Sequence, residues 1–367
     1  MMRRTLLVVA CFIAAPAMAQ TNAAPLTLDE VLQSSAQHSP LIVEALAKVQ
    51  QAEGRSLSAE GAFDTVFSGE ARSRLSGYYD GTSIEGKLSR PFTGNGGEAY
   101  TSYRVSRGSF PIYEDRSYTN QAGEFKVGAV FALMRDRLID ERRTRLGIAE
   151  TDINIARLEG EMVAIGVQGR AIQAYQAWVV AGLRLATYRG LLDLAMQRRD
   201  SIGKQVRLGA QPDILRTENE QNIVRRRALV VRTEIELATA ANGLSLYFRD
   251  ESGAPTIPDA ARLPGSFPSL PRAPRAATQP ALPDRPDLST ILARIDQAED
   301  RYRLAENDTR PRLDVFAEGS RDIGAIGLGG RSRDGTEAVA GVRLSVPLER
   351  RAARGRMAEA RSEIDAL

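Results

Sequence analysis

The reactive side chains available to this chain are few. Its 367 residues include one histidine, His38, and one cysteine, Cys11. His38 stands just before Ser39 and Pro40 at an expected helix boundary, where surface placement is favoured over a ligand role. No His, Cys or carboxylate cluster has metal-ligand spacing. No nucleophile elbow or phosphate loop occurs; "GLGGRSRDG" (327–335) is Gly-rich but lies between expected strands, not ahead of a helix. Catalytic, cofactor-binding and metal sites are therefore expected to be absent, and the chain is read as no enzyme. Arg225, Arg226 and Arg227 form a basic run that reads as a solvated helix face, or as the lining of an internal passage.

The stretch that asks for a function is "QVRLGAQPDILRTENE" (205–220), because it interrupts an otherwise continuous helical pattern. Gly209 can take the left-handed conformation that ends a helix. Pro212 suits the first turn of the next helix, and Asp213 favours its positive end. So short a loop makes its two helices antiparallel neighbours. Leu208, Gly209, Ala210, Gln211, Pro212 and Asp213 would form the exposed tip of that hairpin, or a plain corner with no partner.

Several elements must hold such a tip. Arg3 and Arg4, the apolar run from Thr5 and the small residues Ala17 and Ala19 predict a signal peptide over 1–19, cut after Ala19. That cut removes Cys11, so disulfide chemistry is excluded from the mature chain. It also leaves 47 basic against 46 acidic residues, a balance that argues against nucleic acid. No later segment is apolar over about 18 residues, so no transmembrane helix is expected. An exported chain of this kind is periplasmic, secreted, or in the outer membrane as β-structure.

Thr27 and Glu30 form a capping box that opens a helix, and Ser39–Pro40 opens a second, together covering 27–61. From Phe63 the period becomes two, as it does again from Phe125 to Leu133, so strands are expected within 63–133. Their length, polar second face and terminal aromatics suit a membrane β-barrel. Taken alone, the segment suits a soluble hairpin equally. A helical hairpin is expected over 137–248, with its tip at 208–213. Its first arm, about 72 residues, would measure roughly 108 Å. Its second arm shows a heptad-like row of Ile214, Thr217, Gln221, Val224, Ala228, Val231, Ile235 and Ala238, read as its packing seam.

Residues 250–285 are proline-rich and read as an irregular linker. After it the opening recurs. "PLIVEALAKVQQAEGRSLSAE" (40–60) aligns with "PDLSTILARIDQAEDRYRLAE" (286–306) at a constant offset, matching Ala52 to Ala298 and Ala59 to Ala305. The first repeat is therefore 20–249. An incomplete second repeat, 286–367, holds a helix (286–306), strands within 311–347 and the start of a long helix. The unit reads helix, strand, strand, helix. If the arms are equal, the missing helices would end near residue 463, so a truncated or fragmentary chain is expected.

"LTLDEVLQSSAQHSPLIVEALAKVQQAE", "LMRDRLIDERRTRLGIAE", "RLGAQPDILRTENE", "RPDLSTILARIDQAEDRYRLAENDTRPRLDVF" and "GVRLSVPLERRAARGRMAEA" resemble the TolC-type outer-membrane efflux protein family. The resemblance implies a mainly α fold with membrane β-structure. Long antiparallel coiled-coil helices would form a periplasmic tunnel. Each copy of a homotrimer would give four strands to one shared barrel in outer-membrane lipid. It implies a channel for efflux or type I protein secretion, with a periplasmic adaptor and an inner-membrane transporter as partners, and it places 208–213 where the adaptor docks. Arg135, Arg137, Arg142, Arg143 and Arg145 would lie at the membrane's periplasmic border. The spacing in "GAQPD" is shorter than the family's, which bears on Asp213 as its acidic tip residue. A soluble periplasmic coiled-coil adaptor and a structural coiled-coil protein are the alternatives.

Overall fold

A computed structural model describes residues 24–268, 285–327 and 335–367. The expected signal peptide, with Ala17 and Ala19, lies outside these residues, as does most of the Gly-rich stretch at 327–335. The chain forms two compact units. One comprises residues 24–39 and 166–268; the other comprises 40–165, 285–327 and 335–367.

The second unit holds a six-stranded antiparallel sheet in sequential order. Its strands are β1 (Val66–Ser73), β2 (Thr82–Pro91), β3 (Gly97–Arg107), β4 (Glu124–Ala132), β5 (Arg312–Asp322) and β6 (Thr336–Ser345). The resemblance implied four strands; the β2–β3 hairpin is additional. Helix α2 (Pro40–Glu60) leads into β1, and α5 (Pro286–Asn307) leads into β5. Ala52 and Ala298, matched in the sequence alignment, are both fully buried, and Ala59 and Ala305 are buried too. β4 feeds the 67-residue helix α3 (Glu141–Arg207), and β6 feeds α6 (Arg351–Ala366).

Helix α3 starts at Glu141 rather than near residue 137. Asp140 is the reason: its carboxylate accepts from the Arg143 N–H at 2.9 Å and binds the Arg143 guanidinium at 2.7 Å. An acidic cap satisfies an orphan N–H at the helix start. Within this unit α3 meets α5 through Gln297, whose amide donates to the Ile148 carbonyl at 3.0 Å and to Asp152 at 2.7 Å. Arg301 pairs with Glu363 between α5 and α6 at 2.8 Å.

The first unit is built from α1 (Leu28–His38), the later part of α3, and α4 (Ile214–Ser245). Thr27 caps α1, its hydroxyl accepting from the Glu30 N–H at 3.2 Å. The core gathers Leu26, Val31, Tyr175, Trp178, Leu237 and Leu244. The Tyr175 hydroxyl donates to the buried Leu26 carbonyl at 2.8 Å, so the one polar atom of that ring is satisfied. Residues 250–268 are irregular, yet they are docked here. The Leu26 N–H donates to the Arg262 carbonyl at 2.9 Å, Arg262 pairs with Glu30 at 2.7 Å, and Leu263 packs over Gly182.

The seam expected on α4 is corrected. Ile214, Val224, Val231 and Ile235 are exposed, whereas Ile223, Thr233, Leu237, Ala241 and Leu244 are buried. The polar partners explain the choice of face. The Asn219 amide donates to the Ala195 carbonyl at 3.2 Å, and Arg226 donates to the Leu191 carbonyl at 3.0 Å. These bonds turn the 219–223–226 side of α4 towards α3 and leave the heptad row outward.

Candidate functional site: an amphipathic sheet and a hairpin tip

The register of the sheet sorts its side chains into two faces. Phe67, Leu88, Thr101 and Val127 stand in one cross-strand row, and Ala71, Ile84 and Val105 in another. Phe131, Val315 and Val342 form a third row on the same face. Side chains alternate along each strand, so the neighbours of these residues point the other way. The opposite face carries Glu85, Lys87, Arg104, Glu124, Lys126, Glu318 and Arg343.

The burial of these faces is the reverse of that in a water-soluble sheet. Phe67 is 70% exposed, Ile84 61% and Val342 65%, while Ser102 and Ser106 on the polar face are below 9%. Burial of such apolar surface is worth roughly 25 cal/mol per Å², so a face like this is costly in water and calls for an apolar surround. A depression lined by Phe67, Ile84, Leu88, Tyr103, Val105 and Phe125 opens on it.

Charges on the polar face are connected. Arg104 binds Glu124 at 2.6 Å, and Lys126 lies 3.9 Å from both Glu124 and Glu318. The Lys87 ammonium sits over the Tyr100 ring, 4.8 Å from its centre. Paired charges of both signs on one face suit a wet lumen. None of these groups is arranged as a nucleophile with a base. Among the described residues no group of three or more His, Cys, Asp or Glu could hold a metal, and no helix is long and apolar enough to cross a membrane. His38 ends α1, half-exposed.

At the helix-side end of the sheet the arginines form a junction. Arg143 donates to the Asp136 and Arg137 carbonyls at 2.9 and 3.1 Å, and Arg145 binds Glu141 at 2.7 Å. Arg312 and Asp314 pair at 2.9 Å, with Asp314 buried, and Asn307 donates to the Ile139 carbonyl at 3.0 Å. The arginines are visible in the sequence as a cluster, whereas Asp140, Asn307 and Asp314 lie on different elements and share no spacing that would group them.

The tip between α3 and α4 is a complete Schellman turn. The Gly209 N–H donates to the Val206 carbonyl at 3.0 Å and the Ala210 N–H to the Gln205 carbonyl at 2.9 Å. Gly209 has φ +67°, the left-handed value that glycine adopts without a Cβ penalty. A Cβ there would meet no described atom beyond its chain neighbours within 4 Å, so the space beside Gly209 is open. Leu208 is 82% exposed. Helix α4 begins at Ile214, with Asp213 as a cap residue whose side chain pairs with Arg216 at 3.1 Å instead of capping.

The fold is shared with solved structures of outer-membrane channels. The chain superposes on a membrane protein from Pseudomonas aeruginosa with a TM-score of 0.58 and 15% identity, covering 92% of this chain and 70% of the other. It is similar to the open state of the MtrE outer membrane channel of Neisseria gonorrhoeae (TM-score 0.56, 15% identity, 92% and 67% covered). It is also similar to the outer membrane protein VceC of Vibrio cholerae (TM-score 0.54, 15% identity, 92% and 74% covered). No family model and no curated protein matches the sequence. The likeness is one of fold, and it agrees with the resemblance to TolC-type channels.

Proposed function

We propose that this chain is a subunit of an outer-membrane channel that exports small molecules or, in type I secretion, proteins. In this reading it assembles as a homotrimer in outer-membrane lipid and extends into the periplasm. Residues 208–213 then meet a periplasmic adaptor that links the channel to an inner-membrane transporter.

The observation that carries the reading is the two-faced sheet: an exposed apolar face against lipid and an ion-paired face against water. Backbone groups in a bilayer must be paired within the protein, and a closed β-sheet does that. A soluble adaptor would expose the row of Phe67, Leu88 and Val127 to water for no gain. The exposed heptad row on α4 supports the assembly, because a second seam outside the chain's own packing suits a helix of another copy.

Fractionation of a bacterial host, followed by electrophoresis with and without heating, tests this. The reading expects the chain in the outer-membrane fraction, with an unheated species that migrates differently. Recovery in the soluble periplasm as a form insensitive to heat would contradict it.

A further inference from the structure

The second half of the sheet is simple: α5, β5, β6, α6. The first half has four strands between α2 and α3. Hence β2–β3 is an extra hairpin, placed between the strand that leaves α2 and the strand that enters α3.

That hairpin is a full member of the sheet. β2 and β3 have 10 and 11 residues, within the span a tilted membrane strand needs. They keep the two-face division, with Ile84, Leu88 and Val105 on the apolar side and Glu85, Lys87 and Arg104 on the polar side. The turn joining them is anchored beside the start of α3. Phe92 stacks on Phe131 with ring centres 5.2 Å apart, and the Gly96 N–H donates to the Arg137 carbonyl at 3.0 Å. A Cβ on Gly96 would lie 1.8 Å from the Asp136 carbonyl oxygen, so the approach requires glycine.

Both outer edges of the sheet are open: among the described residues, β1 pairs only with β2 and β6 only with β5. With six sequential antiparallel strands, β1 and β6 run in opposite directions, so β6 of one copy can extend the sheet through β1 of another. Closure within one chain is too tight. Eight strands give an interior just wide enough for side chains, and here Lys87, Tyr100, Arg104, Phe316 and Arg343 must fit inside six.

We propose that β6 of each copy pairs with β1 of the next, and that three copies close an eighteen-stranded barrel in which the β2–β3 hairpin supplies six staves. The inference rests on the trimeric channel reading. It departs from the four strands per copy that the resemblance implied. Barrel diameter grows about linearly with strand number, so this opening is about half again as wide as a twelve-stranded one and falls in the class that leaves an aqueous channel.

The test uses the full chain in outer-membrane vesicles. The chain's one cysteine, Cys11, lies in the expected signal peptide, so single cysteines can be placed freely. A fluorophore is attached at Ile84→Cys, Leu88→Cys or Val105→Cys, with Val127→Cys and Val342→Cys as references, and quenched by brominated lipid. In parallel, Gly69→Cys on β1 is combined in turn with Ala338→Cys, Ala340→Cys and Val342→Cys on β6, and disulfides are formed by mild oxidation. The expected result is a loss of fluorescence at the hairpin positions as large as at Val127, with two-chain and three-chain bands from at least one cysteine pair. Quenching at Val127 and Val342 but not at the hairpin would overturn the proposal and leave the channel standing. Quenching everywhere without any cross-linked chains would overturn the closure between copies. Quenching nowhere would remove both the proposal and the channel reading.

Discussion

The Tyr100 hydroxyl donates to a Glu318 carboxylate oxygen at 2.7 Å, joining β3 to β5 across β4. Gly128 stands between them, paired with Tyr100 on one side and Glu318 on the other. The bond exists because Gly128 has no side chain: a Cβ there would lie 2.5 Å from the Tyr100 ring. Gly128→Ala is expected to cost about 1–3 kcal/mol through overpacking. In a Tyr100→Ala background the same change should be nearly neutral. Denaturant titrations of the four variants in detergent check this, and equal costs in both backgrounds would show that the ring is not the obstacle.

The α4 helix separates what the sequence disclosed from what it did not. Its heptad row at 214, 217, 221, 224, 228, 231, 235 and 238 was readable because apolar and small residues recur there at regular spacing. Periodicity gives a seam but not its occupant. The face that the chain itself uses is marked by polar side chains, Asn219 and Arg226, which bond to carbonyls of α3. Val224→Lys and Ile235→Lys should therefore leave the chain's own unfolding midpoint almost unchanged, while weakening its assembly. Ile223→Ala, in the buried row, should cost about 2–5 kcal/mol. Thermal unfolding, with sedimentation of the same samples, distinguishes the two faces.

The sheet shows a similar division. β4 was legible because Phe125, Val127, Ala129 and Phe131 alternate without a break. β2 and β3 carry a weaker signal because Gly86 interrupts Ile84 and Leu88, and small or polar residues surround Tyr103 and Val105. Only the cross-strand rows reveal that they share a face. At the tip, the order Gly209, Pro212, Asp213 specified the turn from local conformation alone, so it could be read directly.

Tyr175 is 2% exposed, and burial raises the pKa of its hydroxyl above the ordinary 10.0. A group whose folded pKa is raised keeps its full contribution below the unfolded pKa and loses it as pH rises through the folded one. The stability of the unit around Trp178 should thus be flat with respect to this residue through neutral pH and fall above about 10. Tyr175→Phe should lower stability at neutral pH by about 1 kcal/mol, the net worth of the lost bond to Leu26, and reduce the alkaline fall. Tryptophan fluorescence during unfolding at pH 7 and above pH 10 reads both effects, since Trp178 is the chain's one tryptophan. An unchanged alkaline slope in the Phe variant would count against the assignment.

At the tip, Gly209→Ala should strain the left-handed turn by about 1–2 kcal/mol while adding little bulk. Gly209→Trp adds both strain and bulk. If residues 208–213 are a docking surface, Trp should abolish export and adaptor cross-linking while leaving membrane location intact, and Ala should retain most of both. Equal damage from Ala and Trp would show that the turn's geometry is what matters.

The central claim, that the sheet stands in an outer membrane with lipid on one face and water on the other, is tested most directly by site-by-site accessibility along β4. Spin labels at single cysteines replacing residues 125 to 131 in turn, in outer-membrane vesicles, report collisions with oxygen from the lipid and with a water-soluble nickel complex. The account predicts a period of two: Phe125, Val127, Ala129 and Phe131 positions favour oxygen, and Lys126, Gly128 and Val130 positions favour nickel. High nickel accessibility at all seven positions, without alternation, would contradict it.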